Sequence, residues 1–356
     1  IPLDIKPSLI ELIDHDQIQI NWNDGHQTTF PISFLLKHSY DPPCLESKNL
    51  ALENQNQKQF WDQSISQSLP TVSFNDLCLK GQTGQWHVLN WLRKINKIGF
   101  CLVDNLPPTP EATEKLLRKI SFIRQTHYGA FWDFTADLKH GDTAYTNLAL
   151  GAHTDTTYFS DPAGLQLFHL LSPPTSHQGG KSLLVDGFFA AFKLKLEDLK
   201  AYNILSTVPV ETHASGGKGV AFKPILPQPI FSHHPRTGEL MIIRWNPDDR
   251  KPLGGLSGHV IKDWYHAIRK WEIILKSKKM ELWFPMKTGQ ALIFDNHRVL
   301  HGRSSFTGSR RLCGGYINGD DYRSRLRSLE FQFKETHPSG PIAPQTPENE
   351  IWNDID

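Results

Sequence analysis

His153 and Asp155 stand one residue apart in the stretch Gly151-Ala152-His153-Thr154-Asp155-Thr156-Thr157-Tyr158. On an extended segment side chains repeat every two residues, so an imidazole and a carboxylate at this spacing share a face. One cation can take both as neighbouring ligands. With a further histidine from elsewhere they would form a 2-His-1-carboxylate facial triad, which leaves three coordination positions of Fe(II) open. The plain alternative is a polar surface strand, since His-x-Asp arises readily by chance among 17 histidines.

Candidates for the distal histidine sit in Phe294-Asp295-Asn296-His297-Arg298-Val299-Leu300-His301-Gly302-Arg303. The apolar run Ala291–Phe294 ends there, which places both His297 and His301 near a strand end. Arg310 and Arg311 follow and lead into a second apolar strand, Leu312–Ile317. A guanidinium aimed into a β core must meet an anion, because an unpaired buried charge is costly. Its planar fork binds a carboxylate at two points. A dicarboxylic 2-oxo acid, chelating iron at one end and salt-bridged at the other, meets that demand; so would an internal Asp or Glu.

The elements around these residues read as a mainly β chain with peripheral helices. Residues 17–30 alternate, turn at Asn23-Asp24-Gly25-His26 and return, as a hairpin does. Residues 41–70 are rich in Asn, Gln and Ser and mark a boundary between a small N-terminal β module, taken as 1–45, and a large domain over 70–330. From Trp86 to Ile98 the apolar residues recur at helical spacing, and residues 99–103 form a strand. Thr109-Pro110-Glu111 is a helix start, with Thr as cap, Pro at the first position and an acid in the positive first turn. Short apolar runs at 165–171, 182–185, 240–245, 290–294 and 312–317 alternate with turn residues, the pattern of an antiparallel sandwich or barrel. A helix spans roughly 259–277. Short strands with helices outside predict a double-stranded β-helix, or jelly roll. The tail from His337 has little to bury, and 337–356 reads as flexible.

Composition narrows the partners. The chain has 356 residues, 38 Lys+Arg against 37 Asp+Glu and a net charge of +1, which gives no reason to expect nucleic acid or an anionic membrane surface. No apolar run approaches the ~18 residues of a membrane span. The four cysteines form no C-x-x-C pair and suit a reducing compartment, with buried thiols. A chain beginning at Ile1 without a signal-like segment reads as a processed or truncated product.

Four strings in order, HTDTTYF (153–159), GGKSLLVDGFFAA (179–191), FDNHRVLHGR (294–303) and FTGSRRLCGGY (306–316), resemble the trimethyllysine and γ-butyrobetaine dioxygenases, a family of Fe(II)- and 2-oxoglutarate-dependent oxygenases of carnitine biosynthesis. The trimethyllysine branch is the nearer, supported by His140-Gly141-Asp142-Thr143-Ala144-Tyr145-Thr146. The likeness runs over about residues 17–327. It implies His153, Asp155 and His301 as iron ligands, because the family has Trp where this chain has His297. It implies Arg310, rather than Arg311, as the 2-oxoglutarate arginine, with Ser182 beside the oxo acid. It further implies O2 as the oxidant and ascorbate as the reductant that helps keep the iron ferrous.

The resemblance also implies a small-molecule substrate. Tyr128, Trp132, Tyr145 and Tyr316 match positions that enclose a quaternary ammonium. A trimethylammonium cannot donate hydrogen bonds, so aromatic faces must recognise it. On spacing alone, Tyr128 and Trp132 at i, i+4 would equally be one buried helical face. Asp142 and Asn246 are candidates for the substrate's other end, where an acid suits an α-ammonium and repels a bare carboxylate. Arg244 could neutralise a carboxylate or pair with Asp248 or Asp249. The family's N-terminal module carries a zinc site of clustered cysteines and a histidine matched by His26. The cysteine cluster is not in this sequence, so zinc is doubtful and His26 reads as a turn residue. A homodimer and a mitochondrial location, with the cytoplasm as alternative, complete what the likeness implies.

Overall fold

The computed structural model describes residues 3–39, 58–135, 147–175, 179–214 and 219–334. Residues 3–39 belong to one compact unit and the other described residues to a second. In the first, β1 (Pro7–Ile13), β2 (Gln17–Trp22) and β3 (Gln27–Pro31) form an antiparallel meander, followed by α1 (Ile32–Lys37). The hairpin expected over 17–30 is β2–β3, paired Ile18↔Phe30 and Ile20↔Thr28. Its turn residue Gly25 has φ +90°, a conformation costly for any residue with a Cβ. Strand β1 was not anticipated.

The second unit runs β4 (Thr71–Ser73), α2 (Gly81–Ile98), β5 (Phe100–Asp104), α3 (Pro110–Arg118), β6 (Phe131–Thr135), β7 (Leu150–His153), β8 (Leu165–Ser172) and β9 (Ser182–Asp186). It continues through α4 (Gly187–Glu197), α5 (Leu199–Thr207), β10 (Phe231–His233), β11 (Leu240–Ile243) and α6 (Gly258–Leu275). It closes with β12 (Leu282–Phe284), β13 (Ala291–Asp295), β14 (Val299–Arg303), β15 (Arg311–Ile317) and α7 (Gly319–Lys334). A six-stranded sheet has the order β4-β5-β13-β8-β15-β6, and a four-stranded sheet the order β12-β9-β14-β7.

Three apolar clusters stack these layers. The buried stripe of α2 (Val88, Leu89, Trp91, Leu92, Ile95) joins Leu116 and Leu117 of α3 against Leu165, Leu167, Ile293 and Ile317 on one face of the large sheet. Behind the small sheet, Leu183, Val185 and Leu300 meet Phe188 and Leu194 of α4 and Trp264 and Trp271 of α6. Between the sheets lie Phe100, Leu102, Leu170, Leu184, Leu292, Phe294, Val299 and Leu312. Side-chain alternation therefore decides location. On β8, Leu165 and Leu167 face the helices while Gln166, Phe168 and Leu170 face inward. A slip of one residue would exchange the two sets.

Local signals account for the helices that were legible. Thr109 accepts from the Ala112 amide and caps α3; Ser257 does the same for α6 with Val260. Helix α2 stops at Gly99, which takes φ +95°. Helices α4, α5 and α7 were not anticipated. The sequence of α4, Gly187-Phe188-Phe189-Ala190-Ala191-Phe192, is apolar nearly all round, so it carries no clear 3.6-residue stripe. Cys44 and the tail from His337 lie outside the described residues; Cys101 and Cys313 are buried free thiols.

Candidate active site

Strand β7 ends at His153, and its pairing with β14 sets His153 directly opposite His301, with ring centroids 4.3 Å apart. Asp155 lies past the strand end, in a bend, so the simple alternation expected of an extended His-x-Asp does not hold. The turn is completed by Thr156 at φ +57°, an uncommon conformation for a β-branched residue. Thr156 Oγ1 accepts from the Ala163 amide at 2.9 Å. Asn296 clamps the same backbone: its Oδ1 accepts from the Asp155 amide at 2.8 Å and its Nδ2 donates to the Asp155 carbonyl at 3.0 Å.

This places Asp155 Oδ1 3.2 Å from His153 Nε2 and 3.7 Å from His301 Nε2. Donor atoms of the three residues all lie within 4.8 Å of one another, and no other group of three potential ligands occurs among the described residues. Their chemistry fits a divalent iron site. His153 Nδ1 donates to the Gly151 carbonyl at 2.8 Å, which leaves the Nε2 lone pair directed toward Asp155 and His301. Burial and the neighbouring His153 push His301 down to about 3, so its ring is neutral and offers a lone pair. Burial alone would raise Asp155, but both histidines and the Tyr316 hydroxyl outweigh it and hold the carboxyl below its usual range. Burial opposes charge on His153, yet Asp155 prevails and raises it.

His297 is placed elsewhere. Its Nε2 donates to the Pro162 carbonyl at 3.1 Å and its Nδ1 accepts from Arg323 at 3.4 Å. It is a buried pin in the β13–β14 turn. His301, rather than lying at a strand end as expected, sits mid-strand in β14.

A cavity of about 210 Å³ opens over the three residues, room for small metabolites and not for a folded partner. Tyr128, Trp132, Ser182, Asn246, Arg310 and Tyr316 all line it. Arg310 is 4% exposed and its Nε has no partner among the described residues. Burial, and Arg303 beside it, lower its pKa to about 10, so it stays protonated at neutral pH. Arg311 points outward and forks onto Asp133 at 2.9 and 2.6 Å. Arg244 does not line this cavity and pairs with neither Asp248 nor Asp249; it donates to Ser232 Oγ at 2.8 Å and the Ser160 carbonyl at 3.3 Å.

The aromatic residues form no helical face. Trp132 belongs to β6 and Tyr128 to the turn before it, so the i, i+4 spacing is coincidental. Trp132 crosses Tyr316 at 6.2 Å between centroids and 65°. Gly314 makes this possible, because a Cβ there would stand 2.5 Å from Trp132 Cη2. Tyr316 also donates to Asp155 Oδ2 at 2.8 Å, a role beyond lining. Asp142 and Tyr145 lie outside the described residues. Sequence reasoning gave no site role to Tyr158, Gln166, Arg303 and Asn296, and weighed Asp249 only as a possible partner of Arg244. Tyr158, within HTDTTYF, lines the cavity and stands 3.4 Å from the Tyr128 hydroxyl. In the N-terminal unit, His26 stacks on Trp22 and bonds to Asp24, half exposed.

Residues 67–316 match the family model of the taurine catabolism dioxygenases, TauD and TfdA. The chain belongs to this dioxygenase family. Within it the similarity is to trimethyllysine dioxygenases. The Neurospora crassa enzyme is 44% identical over 95% of this chain and 76% of its own length, and the Rattus norvegicus enzyme, named mitochondrial, 39% over 92% and 76%. The Homo sapiens γ-butyrobetaine dioxygenase is more distant, 28% over 92% and 83%. A taurine dioxygenase structure from Burkholderia xenovorans, 14% identical, superposes with a TM-score of 0.50 over 71% of this chain and 89% of its own, a likeness of fold.

Proposed function

We propose that this protein hydroxylates N6,N6,N6-trimethyllysine at carbon 3, the first step of carnitine biosynthesis, using Fe(II), 2-oxoglutarate and O2. The observation that carries the reading is one cavity holding a His-Asp-His ligand set, a buried arginine with no carboxylate partner among the described residues, and an aromatic wall. Its similarity to trimethyllysine dioxygenases, well above that to a γ-butyrobetaine dioxygenase, selects the substrate.

His153, Asp155 and His301 would hold Fe(II) and leave one side open to ligands. Fe(II) held there supplies O2 activation coupled to oxidative decarboxylation of 2-oxoglutarate to succinate and CO2, with the other oxygen atom entering the substrate C–H bond. Arg310 receives the distal carboxylate of 2-oxoglutarate, with the Ser182 hydroxyl beside it. Tyr128, Trp132, Tyr145 and Tyr316 surround the trimethylammonium. Asn246 and Asp142 take the amino-acid end, Asp142 receiving the α-ammonium. By these contacts the protein decides which carbon faces the metal. The barrel is read as a double-stranded β-helix over 70–330, the N-terminal unit as a dimerisation module, and ascorbate as the reductant that keeps iron ferrous. A mitochondrial location is extended from the rat relative.

Anaerobic addition of Fe(II) and 2-oxoglutarate should give a weak visible charge-transfer band. Mass spectrometry should then find 3-hydroxytrimethyllysine in preference to hydroxylated γ-butyrobetaine. Asp142→Asn should weaken trimethyllysine binding far more than γ-butyrobetaine binding. No band and no succinate would overturn the reaction class; preference for γ-butyrobetaine would overturn the substrate.

A further inference from the structure

Asp155 presents two oxygens, and the protein treats them differently. Oδ1 faces the two imidazoles. Oδ2 accepts from Gln166 Nε2 at 2.7 Å and from the Tyr316 hydroxyl at 2.8 Å. Gln166 and Tyr316 are direct partners across β8 and β15, so their side chains emerge on the same inward face. A carboxylate only accepts, so the Gln166 amide must turn its NH2 toward Asp155. Its Oε1 is then left buried, with no donor among the described residues. The residue as a whole is 1% exposed, and its inward neighbours on β8 are Phe168 and Leu170. A buried amide with half its hydrogen bonding unmet is a poor choice for stability, and an apolar side chain would pack there without that cost.

We propose that Gln166 is a positioning residue for the metal site: together with Tyr316 it occupies Asp155 Oδ2 and so reserves Oδ1 for the cation. Left without these donors, the carboxylate is free to rotate about its last bond and to offer either oxygen or both. Tyr316 shares the task while lining the aromatic wall, which ties that wall to the metal ligand. The inference rests on the proposed iron site.

The test measures Mn(II) binding to the folded protein by titration and records the Mn(II) electron paramagnetic resonance spectrum. Gln166→Met keeps the volume and removes the donor; Gln166→Asn keeps the amide and shortens its reach by one methylene. Each should weaken Mn(II) binding about 10- to 100-fold, the usual effect of losing a partner of a metal ligand. Each should also change the Mn(II) spectrum, while circular dichroism and Tm without metal stay at the parent's values or above. A change in affinity under twofold with an unaltered spectrum would overturn the proposal. So would failure of both variants to fold, because Gln166 would then be holding the fold. If the parent itself binds no Mn(II), the iron-site reading falls and this inference falls with it, an outcome distinct from equal binding by parent and variants.

Discussion

Arg310→Met isolates one buried charge with no carboxylate partner among the described residues. Arg310 is buried, its Nε lacks a partner among the described residues, and burial with Arg303 takes its pKa from 12.5 to about 10. At about 1.4 kcal/mol per unit, keeping that charge in place costs the fold about 3 kcal/mol. The folded value of this base is depressed, so the cost is fully present below about 10 and eases only above it. A carboxylate seated on the fork offsets it. Losing one partner of such a buried pair costs about 2–5 kcal/mol, or roughly 30-fold to several-thousand-fold in Kd. Titrating the Mn(II)-loaded protein with 2-oxoglutarate by calorimetry should show that loss. The lower end is expected, since Arg303 remains nearby. Scanning the ligand-free variant should show Tm unchanged or raised, by ~2–4 °C for each kcal/mol relieved. A Kd within threefold of the parent would mean that the carboxylate binds elsewhere. A Tm lowered by more than about 5 °C would mean that Arg310 has an internal partner, and the reasoning would fail. Arg311→Met should alter neither quantity appreciably, because its pair with Asp133 is at the surface.

Other perturbations separate the remaining assignments. His301→Ala should abolish the charge-transfer band and succinate formation, while His297→Gln should keep both and lose stability; the reverse pattern would exchange their roles. Trp132→Leu should raise the Kd for trimethyllysine by ~5- to 30-fold, one to two kcal/mol of cation–π attraction, and leave 2-oxoglutarate binding within twofold. Equal losses for both ligands would show a collapsed cavity instead. His169 is buried and pushed down to about 4, with Thr113 Oγ1 2.6 Å from its Nδ1. Its folded value lies below the ordinary 6.5, so its contribution is present above pH 6.5 and is lost as pH falls toward about 4. Urea unfolding across that interval should show a shallower pH dependence in His169→Met; an unchanged slope would assign the acid sensitivity to other groups.

The candidate site residues were legible where they are local. His153-Thr154-Asp155 and the arginines after His301 stand out by type and spacing, and helices with a cap, a stripe and a terminal glycine, such as α2 and α3, follow from short-range rules. A helix apolar nearly all round its first turns, such as α4, follows only from the layer it packs against. The choice between His297 and His301 could not be made from spacing, since both lie in one turn and strand. Placement favours His301, because the register sets it against His153 and turns His297 to Pro162. Arg310 and Arg311 were separated the same way, by alternation at the start of β15. Gln166, Tyr158 and Asn296 carry no local signal. They matter because β8 meets β15 and the β13–β14 turn meets Asp155, contacts between segments far apart in the chain. The sequence by itself determined which kinds of ligand are available and in what order. Only the tertiary structure decided which of them converge, because sheet register is a long-range property and a shift of one residue would turn each inward side chain away.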